Sequence, residues 1–190
     1  MALEEDVLRY IVNYSQERQL QSAELSTRIR NDEDPVVIFL KAEDPIQYII
    51  RGLLLCENKA KELAAKYVPN ANIEDLRITK LLELLRDSGL LEKSEVPPYK
   101  KLNELRNKVA HRLEYTIKTV DATMIWDCMN REQQAEIKRK YNVNRTFAKN
   151  EPSVLIKAMI LRLYTHLEYI VERERVKTDI AILFSRKSKF

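Results

Sequence analysis

The residues best placed to do chemistry in this chain stand in one short stretch, Leu102-Asn103-Glu104-Leu105-Arg106-Asn107-Lys108-Val109-Ala110-His111-Arg112. Histidine, with an unperturbed pKa of about 6.5, takes up or returns a proton near neutral pH. Arginine stays protonated and presents a planar fork to a phosphate. Arg106 and His111 thus pair an anion binder with a proton carrier. On a helix turning about 100° per residue, with Leu105 at zero, Leu102, Val109 and Leu113 all fall within about 80° and form a core face. Arg106, Ala110, Asn103, Asn107 and His111 follow at about 100°, 140°, 160°, 200° and 240°. The small Ala110 in the middle of this polar face lets another surface approach. Arg106 and His111 are about 140° apart, too far for one helix to aim both at a single atom. A shared site needs a groove straddling the helix or a second copy of the chain, and the geometry favours a composite dimeric site. Asn107, four residues before His111, is placed to steer the imidazole by a side-chain contact.

The elements that must hold this stretch read as helices. Apolar residues recur at the helical period through most of the chain. Leu3, Val7, Ile11 and Tyr14 define a short amphipathic helix, followed by a polar stretch and Asp34-Pro35. The run from Val36 to Leu40 suits either a buried strand or a turn of helix. Asp44-Pro45 reads as a cap followed by proline at the first helical position. The stripe from Ile46 to Tyr67 then carries a long helix. Asn72 is a second cap, for a helix over 73–88 that stops at Gly89. Val96-Pro97-Pro98 reads as a loop before the motif helix. Tyr115 to Val120 is β-branched and suits extended chain, Asp121 or Thr123 starts a short helix through Trp126, and Asn130 caps another. Asn150-Glu151-Pro152 announces a last long helix. The fold class expected is all-α, a bundle with an N-terminal helical extension over 1–44, a bundle over 45–175 and a basic tail over 176–190. Residues 115–150 enter as an irregular basic insertion before the last helix.

The pattern Arg106-Asn107-x-x-x-His111, late in such a bundle and after an amphipathic Leu-x-x-Leu approach, resembles the motif of the HEPN superfamily. The resemblance covers roughly residues 45 to 175. It implies a metal-independent endoribonuclease, or a relative without that activity. In the catalytic case His111 is general acid or base, Arg106 stabilises charge on the transferring phosphorus, and Asn107 contacts phosphate or supports the histidine. RNA supplies its own 2′-OH nucleophile, so no cofactor is required, and the products implied are a 2′,3′-cyclic phosphate and a free 5′-OH. A toxin of a toxin–antitoxin pair or an RNase of antiviral defence is the role most often implied. The implied partners are RNA, a second copy of the chain and an antitoxin or other regulatory protein. The alternative is a non-catalytic HEPN-like or mannitol-repressor-like regulatory or binding protein.

Composition narrows the field independently. The 190 residues are 45% hydrophobic and 33% charged, which excludes a disordered chain and suits one sizeable domain. The longest apolar runs fall far short of the ~20 residues that span a bilayer, so no membrane association is expected. The opening MALEEDVLRY lacks the basic and apolar regions of a signal peptide, and a cytoplasmic location is expected. Only two glycines, Gly52 and Gly89, are present, which disfavours Rossmann and P-loop nucleotide folds. The two cysteines, Cys56 and Cys128, sit 72 positions apart with only two histidines in the chain, which rules out a zinc finger, and no metal site is expected. The net charge of +4 permits an anionic partner without demanding one.

A second stretch bears on nucleic acid. Lys138, Arg139, Lys140, Tyr141, Arg145, Phe147 and Lys149 combine basic side chains with aromatics, with no acidic residue between Lys138 and Lys149. They suit phosphate contacts with a base stacked on Tyr141 or Phe147. They suit equally a solvated helix end followed by a loop with buried aromatic anchors. His166 has no arginine five positions before it and reads as a partly buried structural histidine. Tyr164 and Tyr169 read as packing or rim residues, and Trp126 as a core anchor. The acidic clusters at 32–34 and 43–44 read as caps and surface charge.

Overall fold

The computed structural model describes residues 34–68, 72–112 and 115–187. The amphipathic helix expected over residues 3–20 lies outside them, as does Leu113. Among the described residues all regular structure is helical, and the fold is all-α. The helices are α1 (Pro35–Lys41), α2 (Pro45–Tyr67), α3 (Ile78–Asp87), a 3₁₀ turn (Lys93–Glu95), α4 (Pro97–Ala110), α5 (Thr119–Trp126), α6 (Arg131–Tyr141), α7 (Phe147–Asn150) and α8 (Pro152–Lys187). The chain divides into two compact units, residues 39–172 and residues 1–38 with 173–190. The first holds the bundle and both chemical stretches. Of the second, 34–38 and 173–187 are described, as the start of α1 and the end of α8.

Local chemistry sets most helix ends. Asp44 caps α2, its carboxylate accepting the Gln47 N–H at 3.1 Å. Asn130 and Gln133 form a reciprocal box at the start of α6, at 2.8 and 3.1 Å. After α3, Gly89 takes φ +75°, a left-handed conformation that glycine adopts without penalty. The Leu90 and Leu91 amides then fold back onto the Leu85 carbonyl. Asn142 does the same for α6 at φ 53°.

Several boundaries differ from expectation. The run from Val36 to Leu40, which its spacing leaves open between strand and helix, is helix, with Phe39 fully buried. The Asn72 cap goes unused and α3 begins at Ile78. Ile73 and Leu76 instead close a turn, the Leu76 amide meeting the Ile73 carbonyl at 3.1 Å, and both side chains pack on the core. Pro97 and Pro98 do not form a loop but open α4, where their missing N–H groups cost nothing. The segment expected to be irregular carries α5, α6 and α7, with 115–118, 127–130 and 142–146 outside the helices. The last helix runs on to Lys187, through most of the expected tail.

The core of the 39–172 unit gathers Tyr48, Ile49 and Leu63 of α2, Leu81, Leu82 and Leu85 of α3, Tyr99 and Leu102 of α4, and Leu155, Ile156 and Leu163 of α8. Burying each such side chain contributes about 1.5–3 kcal/mol. Helix α4 packs against α2, α3 and α5, so the motif helix is held on three sides. Gly52 marks the tightest approach. A Cβ there would stand 2.5 Å from Ile160 Cγ2 and 3.1 Å from Phe39 Cε2. Among the described residues no helix is long and apolar enough to cross a membrane.

Candidate functional site

Helix α4 is fixed from its buried side. Leu102, Leu105 and Val109 are in the core, as their spacing predicts. The Tyr99 hydroxyl donates to the Leu163 carbonyl of α8 at 2.8 Å, and burial pushes that phenol well above its ordinary pKa. The opposite side of α4 carries Arg106, half-buried, and the exposed Asn107 and Ala110. Arg106 Nη2 reaches Asn103 Oδ1 at a long 3.5 Å.

His111 is not inside the helix but its cap, at φ −95° and ψ 2°. It is exposed, and its backbone amide donates to the Asn107 carbonyl at 3.2 Å. That backbone bond is the link between Asn107 and His111, where the sequence leads one to expect a side-chain contact. The expectation assumed that the helix continues through His111, and it stops one residue short. Among the described residues the His111 imidazole meets no side-chain partner, and none of them brings it to Arg106.

A feature not singled out by sequence surrounds this cap. Asp121, 4% exposed, accepts the Tyr115 hydroxyl at 2.8 Å and the Lys118 amide at 3.0 Å on one carboxylate oxygen. Its other oxygen lies 3.7 Å from Lys108 Nζ of α4. The Arg112 guanidinium sits over the Tyr115 ring, 5.8 Å from its centre. The Tyr115 hydroxyl is pushed up to about 12, by burial first and then by the hydrogen bond and charge of Asp121. The local signal for this hub is an aspartate at the third position of α5, where it answers the helix's unpaired amides. Its reach back to α4 has no local signal.

A second cluster is centred on α8, with partners from the 3₁₀ turn and from α6. His166, 8% exposed, has Nε2 2.8 Å from Glu95 Oε1, close enough for an ion pair though poorly angled for a hydrogen bond. Glu95 also accepts the Glu92 amide at 2.8 Å through its other oxygen. One turn earlier on α8, Arg162 Nε lies 2.5 Å from Glu136 of α6. The structural reading of His166 therefore holds, with a partner that sequence did not supply. Trp126 is in the core, as expected.

The basic stretch divides. Lys138, Arg139 and Lys149 are exposed. Lys140 pairs with Glu136 at 2.6 Å, and Arg145 makes a two-pronged contact with Asp127 at 2.9 and 3.0 Å. Tyr141 and Phe147 are partly buried and pack on the core, so of the two readings the aromatic anchors fit better than open stacking platforms. Cys56 is fully buried, and burial pushes its thiol up to about 12. Cys128 is half-buried. Comparison of the chain with models of protein families, with curated proteins and with solved structures returns no match.

Proposed function

We propose that the chain is a metal-independent endoribonuclease of the HEPN type, working as a homodimer in the cytoplasm. In this reading His111 takes the proton of a ribose 2′-OH. The 2′-oxygen attacks the adjacent phosphorus, and the bond to the 5′-oxygen breaks. The proton returned to that leaving oxygen comes from an imidazole, that of the second copy where two copies flank the phosphate. Arg106 binds the non-bridging oxygens as charge builds on them. The atoms balance as a 2′,3′-cyclic phosphate and a free 5′-OH. Asn107 contacts phosphate beside Arg106. Lys138, Arg139 and Lys149 extend the phosphate-binding surface. A toxin restrained by an antitoxin, or a defence RNase, is the role this chemistry suits.

The observation that carries the reading is the placement of His111. It stands exposed at the end of a firmly packed helix, with its imidazole uncommitted among the described residues, while Arg106 is half-buried on the same helix. A histidine serving only the fold has the surroundings of His166 instead. The test is incubation of the purified protein in EDTA with a labelled single-stranded RNA and with the same oligonucleotide carrying 2′-deoxyribose throughout. Cleavage of the RNA alone, with cyclic phosphate ends, is expected. Cleavage of both would exclude the 2′-OH mechanism. Binding without cleavage of either would assign the chain to the regulatory alternative.

A further inference from the structure

We propose that Asp121 is the positioning residue for His111, acting through Tyr115 and Lys108. A helix end frays because its last carbonyls and its cap lack intrahelical partners. His111 occupies such an end, held by a 3.2 Å bond to Asn107, and Arg112 adds a 3.3 Å bond to Val109. What the structure adds is a closed circuit around the cap. Lys108, three residues before His111, faces one oxygen of Asp121. Arg112, the next residue after it, lies over the Tyr115 ring, whose hydroxyl donates to the other oxygen. Both flanks of His111 are thereby tied to one carboxylate.

That carboxylate is itself buried and partnered on both oxygens. It is 4% exposed and also accepts the Lys118 amide that starts α5, a helix packed on α4. A buried carboxylate without partners is costly, so each partner removed loosens the rest. The Tyr115 hydroxyl keeps its proton through the neutral range and remains a donor to Asp121. The circuit confines the direction in which the imidazole leaves the helix and adds no group that touches substrate.

The inference rests on His111 being the working imidazole, but its test does not require activity. With only two histidines in the chain, proton–carbon spectra of the imidazole Cε1–H groups contain two signals, and His111→Ala assigns them. Tyr115→Phe removes one hydrogen bond, and Asp121→Asn removes the charge that Lys108 faces. Both variants are expected to shift the His111 signal while leaving that of His166 in place. Exchange of the His111 amide should rise about three- to tenfold, the range of one lost hydrogen bond. On RNA, kcat should fall by a similar factor with KM unchanged. Asp127→Asn, which breaks the exposed pair with Arg145, should move neither readout. An unmoved His111 signal and unmoved exchange in Tyr115→Phe would overturn the proposal, and that variant decides if Asp121→Asn does not fold. Shifted His111 signals in a protein that cleaves no RNA would uphold the positioning and refute the nuclease.

Discussion

At the scale of single residues, the chain separates two histidines by what surrounds them. His166 is nearly enclosed beside Glu95, whereas His111 stands in the open at a helix cap. The same contrast of crowding governs Gly52. Alanine would gain about 1 kcal/mol of helix propensity there. Its Cβ would meet the branched Ile160 at 2.5 Å, inside any real contact, with Phe39 Cε2 also only 3.1 Å away. Overpacking of this kind costs about 1–3 kcal/mol. Gly52→Ala is therefore expected to lower the urea midpoint despite the better helix former, and an unchanged or raised midpoint would show that the α2–α8 approach is looser than described. The close approach itself was not legible in sequence, because Gly52 earns its place through a residue more than a hundred positions away. The spacing of Arg106 and His111 is a matter of sequence alone, and the structure adds no contact between them among the described residues. That His111 caps the helix instead of continuing it was not legible, because nothing in Ala110-His111-Arg112 marks a stop.

At the scale of elements, the readable signals were the short-range ones. Asp44-Pro45, Gly89, Asn130 and Pro152 each act within a few residues of themselves, and all four mark real helix boundaries. The Asn72 signal failed because Ile73 and Leu76 gain more by packing a turn onto the core than by extending α3. The Val96-Pro97-Pro98 loop failed because proline at a helix start looks the same as proline in a loop. The Asn130 cap gives a direct check. Its side chain accepts the Gln133 amide at 2.8 Å, so Asn130→Ala should cost about 1 kcal/mol, read from denaturant unfolding. Asn130→Asp should retain most of that stability. Equal losses in the two variants would mean that packing at α6, and not the cap, sets the value of this position. The ties to α8 from α4 and from the 3₁₀ turn are of the opposite kind. The Tyr99 hydroxyl on the Leu163 carbonyl and His166 beside Glu95 join residues far apart in sequence, so no periodicity announces them.

At the scale of the whole molecule, acid sensitivity follows from the paired carboxylates. Burial alone would raise the Glu136 pKa, but the Lys140 hydrogen bond and the charges of Arg162, Lys140 and Arg139 outweigh it and hold the carboxyl below its usual 4.5. A folded value below the unfolded one favours the ionised group in the fold. That contribution is complete above about pH 4.5 and disappears as pH falls through the lower folded value. Asp127 beside Arg145 shifts in the same direction from a more exposed position. The melting temperature should therefore fall on acidification below about pH 4.5, and Glu136→Gln should flatten part of that fall. Parallel pH profiles for the two proteins would remove Glu136 from the account. On the proposed reading, Arg106 on α4 and His111 at its cap share no partner among the described residues, so their joint action is assigned to two copies of the chain.

The most direct measurement is the rate of RNA cleavage in EDTA by the wild-type protein, Arg106→Ala and His111→Ala, each shown to be folded and at the same concentration. A fall in kcat of about 10²- to 10⁴-fold is expected without the imidazole, and of about 10²- to 10³-fold without the guanidinium. Equal cleavage by all three proteins would contradict that expectation.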